Sequence, residues 1–126
     1  MNNMGITTGH DEVIARLQEF RVEFGPEMVT QLTAAFISDS RLRLERLSAK
    51  LLAGDAAGLV YEAHGLKGSC HNMGARHLGE LCALLEEYGR SGALARARIP
   101  ASELAQGLIR VTKYLETELE RELQVK

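Results

Sequence analysis

At 126 residues, 45% hydrophobic and 25% charged, the chain is one domain by length, with enough apolar content for a core and too much for a disordered polymer. Its formal net charge of −2 provides no general attraction to nucleic acid or to an anionic membrane surface. Three Tyr, three Phe and no Trp exclude a base-stacking platform for single strands, and no apolar run approaches the roughly 18 residues of a membrane span.

The opening MNNMGITTGH has neither a basic n-region nor an apolar h-region, so residues 1–9 read as a short leader of a cytoplasmic protein; the initial methionine and short leader favour a free-standing protein over a piece of a hybrid kinase, and the sequence leaves both open. A first short helix is expected from His10 to Arg21, capped by Thr7 or Thr8, with Val13, Ile14 and Leu17 inward. After Gly25-Pro26 the longest helix runs from Glu27 to Leu52, with an apolar stripe at Val29, Leu32, Phe36, Ser40, Leu44, Leu47 and Leu51. At 1.5 Å per residue it spans about 40 Å. Gly54-Asp55 joins a helix stop to a helix cap and turns the chain sharply. The next helix, Ala56 to Met73, buries Leu59, Ala63, Leu66, Cys70 and Met73, and Gly74 closes it. Another runs from Ala75 to Tyr88 with Leu78, Leu81, Cys82 and Leu85 on one side. The GRSG run at 89–92 breaks it, and 93–99 is ambiguous. The last helix, Ala101 to Leu123, turns Leu104, Leu108, Val111, Leu115 and Leu119 inward. Pro26 and Pro100 are both placed at helix starts. These elements make an all-α domain over residues 10–124, an antiparallel four-helix bundle with an additional short N-terminal helix.

Chemistry concentrates in Ala63-His64-Gly65-Leu66-Lys67-Gly68-Ser69-Cys70. Beside the buried stripe of that helix lies a second one, Val60, His64, Lys67 and His71, rotated by about 100° toward solvent. His64 is therefore an exposed imidazole, with Lys67 one turn away on the same face. Gly65 and Gly68 each cost the helix roughly 0.5–1 kcal/mol relative to alanine, and they are placed where they clear side chains away from the ring. An imidazole of ordinary pKa, about 6.5, is mostly neutral at pH 7 and is a competent nucleophile. A nearby ammonium suits a phosphoryl group, whose transfer depends on positioning and charge compensation. A metal ion and a carboxylate cluster would have to come from a partner; neither a cofactor nor a metal is expected on this chain.

The same octet, followed by Met73-Gly74-Ala75, Leu78, Leu81-Cys82, Leu85-Glu86 and Gly89-Arg90, resembles the histidine-containing phosphotransfer (HPt) domain of two-component phosphorelays. The motifs cover about 28 residues, and the helical plan fits the chain from His10 onward. The resemblance implies that His64 is the phosphoacceptor, taking a phosphoryl group from the phospho-aspartate of a response-regulator receiver domain and passing it to another. It implies that Lys67 stabilises that group and that Gly68 leaves room for the docking receiver. Val60, Gly65 and His71 are the other expected docking positions. The implied partners are receiver domains and a hybrid sensor histidine kinase, with the chain itself a monomer and a phosphocarrier, not a kinase. Cys70 and His71 depart from the commonest pattern; Cys70 faces inward and packs.

Plainer readings apply elsewhere. His71 lies about 10.5 Å along the axis from His64, too far for a shared small ligand. A zinc site from His64, Cys70, His71 and His77 has no familiar ligand spacing. Arg41, Arg43, Arg46 and Lys50 read as a solvated basic face, and Glu86 and Glu87 as surface residues. Two alternatives remain, a catalytically silent HPt-like interaction domain and the phosphoacceptor helices of a histidine kinase. The second would place an acidic residue directly after the histidine and a proline soon after, where this chain has Gly65 and Lys67-Gly68.

Overall fold

A computed structural model describes residues 10–125, and among them are five α-helices and no strand: α1 (His10–Phe24), α2 (Pro26–Leu52), α3 (Ala56–Asn72), α4 (Arg76–Ser91) and α5 (Leu94–Val125). The leader and the cap expected at Thr7 or Thr8 lie outside the described residues. α3 packs against α2 and α4, α5 packs against α4 and α2, and α1 lies on α2. Leu47, Leu59, Leu66, Leu85, Leu104 and Leu115 are fully buried where these helices meet. No helix among the described residues is long and apolar enough to cross a membrane.

Local signals explain most boundaries. Pro26 occupies the first turn of α2, where its missing N–H has no intrahelical partner to lose. Asp55 caps α3 by accepting the Gly58 N–H at 2.9 Å, as a residue between a helix stop and a helix start should. At the corner between α3 and α4, Gly74 adopts φ 84° and the Ala75 N–H reaches back to the Cys70 carbonyl at 2.8 Å. α1 seals this corner: Arg16 Nη1 donates to the Asn72 carbonyl at 2.7 Å.

Three expectations change. The buried residues of α2 are Val29, Thr33, Phe36, Ile37, Ser40 and Leu47, whereas Leu32 is exposed and Leu44 and Leu51 are only partly buried. A helix held between α3 and α5 buries a wider arc than a single stripe, which brings in Thr33 and Ile37. α4 passes through Gly89 and stops only at Gly92, which adopts φ 74°. Gly89 is instead a point of close approach, since a Cβ there would stand 2.6 Å from Val60 Cγ2. Finally, Pro100 lies inside α5 and does not begin it. It removes one backbone donor from the ladder, while the fully buried Ala97 anchors the turn before it to the core.

Cys70 and Cys82 are both fully buried, facing each other across the α3–α4 seam. Their mutual hydrogen bond, and then burial, push the Cys82 thiol well above its ordinary range, so it is a packing group and not a nucleophile. The α3–α4 corner gives a direct test of the fold. A Cβ on Gly74 would lie 2.8 Å from the Glu12 carbonyl oxygen, and the left-handed backbone alone costs a non-glycine residue about 1–2 kcal/mol. Gly74→Ala is therefore expected to lower the urea-unfolding free energy by at least about 2 kcal/mol; an unchanged midpoint would show that neither the left-handed turn nor the contact with α1 constrains this corner.

Candidate functional site

α3 presents His64 with 68% of its side chain exposed, and Lys67 one turn on, half-buried. Beneath both lies the carboxylate of Glu86 from α4, whose side chain is only 1% exposed. His64 Nδ1 lies 3.0 Å from Glu86 Oε2, and Arg90 Nη2 donates to the same oxygen at 2.9 Å. Lys67 Nζ stands 2.5 Å from Oε1. That contact is an ion pair between the ammonium and the buried carboxylate. His64, Lys67 and Arg90 cover the carboxylate. Burial pushes its pKa up, but Lys67 and then His64 more than offset this and hold it below 4.5, its ordinary value. Glu86 is thus ionised at neutral pH and can only accept. The neutral His64 ring must then carry its proton on Nδ1, which leaves the Nε2 lone pair pointing away from the carboxylate.

The two site glycines behave differently. Beside Gly68 there is open space, with no atom within 4 Å of where a Cβ would stand. The place of the missing Cβ at Gly65 is taken by the guanidinium of Arg43, reaching across from α2. Arg43 Nε donates to Asp39 Oδ2 at 3.1 Å, and its Nη1 lies 3.8 Å from Oε1 of the buried Glu62. The Ser69 hydroxyl is within reach of two acceptors, Asp39 Oδ2 and the Gly65 carbonyl, each at 3.3 Å.

His64, Lys67 and Gly68 therefore share one face, while Val60 and the still-exposed His71 lean toward α4. Val60 is half-buried against Gly89, and the His71 ring lies over Gly79, where a Cβ would stand 2.6 Å from its Nε2. Glu86 is not the surface residue expected. It falls four residues after Cys82 and eight after Leu78, on the buried arc of α4, and that offset is the signal that could have found it. Among the described residues no group of three or more His, Cys, Asp or Glu side chains is arranged to hold a metal ion.

The sequence matches the Hpt domain family model over residues 31–124, three-quarters of its length. The chain belongs to the Hpt domain family. Its structure is similar to the crystal structure of histidine-containing phosphotransfer protein B (HptB) from Pseudomonas aeruginosa PAO1, with a TM-score of 0.80 and 34% identity over 85% of this chain and 92% of that one. No curated protein matches the sequence. The matched residues include His64, Lys67, Glu86 and Arg90, and α1 precedes them.

The depressed pKa of Glu86 sets a pH dependence. Its folded value lies below the unfolded one, so its contribution to stability is complete above about pH 4.5 and is lost as pH falls through the folded value. Glu86→Gln leaves Lys67 and Arg90 without a counter-charge. It should cost about 1–3 kcal/mol at pH 7, with the gap from wild type closing below pH 4.5, as followed by urea unfolding from pH 7 to pH 3. A gap independent of pH would mean that the Glu86 charge is not what the site depends on.

Proposed function

We propose that this protein is a cytoplasmic phosphocarrier, a monomeric antiparallel four-helix bundle (α2–α5) with α1 packed against it. It relays a phosphoryl group between aspartates of response-regulator receiver domains through phosphohistidine at His64. Membership of the Hpt domain family and the likeness to HptB support the phosphotransfer function. The observation that carries the assignment to His64 is the hydrogen bond from Nδ1 of an exposed ring to an ionised, buried carboxylate.

In the forward step Nε2 attacks the phosphorus of the receiver's acyl phosphate. The N–P bond forms as the P–O bond to the aspartate breaks, and the aspartate leaves as a carboxylate. The positive charge that develops on the ring is met by Glu86 at Nδ1. Lys67 offsets the charge on the phosphoryl oxygens, and the receiver supplies the metal ion and its own carboxylates. The reverse sequence, with a second receiver, discharges the ring. Gly68 is the open platform on which the receiver sits, with the exposed His71 at its rim. A hybrid sensor kinase feeds the relay through its own receiver.

Offering a phosphorylated receiver domain to wild type and to His64→Gln tests the assignment, which fails if both take up label equally. Lys67→Ala is expected to slow transfer by roughly 100–1,000-fold, the scale of removing one charge-stabilising donor, and to lower the unfolding midpoint as well, because it strips the buried Glu86 carboxylate of a counter-charge. Labelled ATP alone should leave the protein unlabelled, whereas label on His64 would favour kinase phosphoacceptor helices. A silent interaction domain would take no label from any receiver.

A further inference from the structure

A groove of about 660 Å³ runs between α1, α2 and α3. Its walls include Phe20, Phe24, Met28, Leu32 and Met73, and Phe24 and Met28 are 51% and 42% exposed. Asp39 and Ser69 also line it. They are the lining residues farthest along α2 and earliest on α3, so they mark the end of the groove nearest His64. Ser69 is five residues beyond His64 on α3, which puts this end of the groove about 7.5 Å along the helix axis from the histidine.

Charge is distributed unevenly about this end. Two carboxylates, Asp39 and Glu62, flank one guanidinium, Arg43, at 3.1 and 3.8 Å. Glu62 is buried, so the outward-facing member is Asp39, with 44% of its side chain exposed. Arg46 lies two turns farther along α2, about 10.5 Å from Asp39 along the axis. On the α4 side of His64 the balance is opposite, with Lys67 and Arg90 against the single carboxylate of Glu86. A partner that places an anionic phosphorylation pocket over Lys67 and Arg90 must also place something against Asp39. A carboxylate there is repelled, and a cation pairs with it.

The geometry points to Asp39 as a specificity-determining residue, accepting a lysine or arginine side chain from a receiver domain seated over His64 and the apolar groove. This rests on the phosphotransfer reading above. Asp39 fixes which receivers dock and in what orientation, whereas His64 and Lys67 serve any of them.

The test uses the full chain, the phosphorylated receiver that charges wild type fastest among those of the same genome, and phosphoramidate as a small donor that needs no docking surface. Asp39→Lys should lower kcat/KM for the receiver by about tenfold or more, mainly through KM. Asp39→Asn should lower it less and Asp39→Glu should restore it, with the deficit narrowing at high salt. Labelling of His64 by phosphoramidate should stay within about twofold, since a reversed rim charge acts on docking, and circular dichroism melts verify folding. Unchanged receiver kinetics in Asp39→Lys would overturn the proposal. So would a parallel loss of phosphoramidate labelling, which would make Asp39 a support for His64 and not a selector. If wild type takes label from phosphoramidate but from no receiver, the underlying phosphotransfer reading fails along with it.

Discussion

A single carboxylate organises the site, and the seam between α3 and α4 puts it there. Along the α3-facing side of α4, the residues at 79, 82, 86 and 89 are Gly, Cys, Glu and Gly. Three of the four are small, so α3 can settle closely enough for Val60 to lie on Gly89 and the His71 ring on Gly79. Glu86 is the one long side chain in this row, and it rises through the seam to meet His64, Lys67 and Arg90 from below. Removing its charge would leave two cations facing a buried amide. Widening the seam would take the carboxylate away from the imidazole.

Much of this was legible in the sequence because the relevant signals are local. Gly25-Pro26, Gly54-Asp55 and Gly74 each specify a helix end within two residues, and the i, i+3, i+4 spacing of α3 and α5 identifies most of their buried faces, missing the buried Glu62 and overstating Leu119, which is only partly buried. Exposure of His64 follows from the same periodicity. Where a feature depends on a neighbouring helix, the sequence read alone goes astray. Leu32 and Thr33 are equally good candidates for the core one turn after Val29, and only the position of α3 and α5 selects Thr33. Gly89 resembles a helix stop until Val60 is seen against it. Glu86 beside Glu87 resembles a solvated pair until α3 covers the first and leaves the second in water.

The two glycines beside the histidine make the same point about function. Their spacing suggests one purpose, clearing the helix surface, yet α2 fills one of the clearings with Arg43 and leaves the other empty. The helix therefore carries two polar clusters of opposite balance on its flanks, cationic toward α4 and anionic toward α2, with the bare backbone at Gly68 between them. An approaching protein meets a surface with a built-in orientation.

Lys67 already has an anion to serve before any phosphoryl group arrives. On the proposed reading, its ammonium is divided between Glu86 and the newcomer, and it cannot satisfy either as fully as it would one alone. A carrier built in this way holds its cargo loosely: the phosphorylated state is not a deep well, and the group can depart toward either receiver with similar ease.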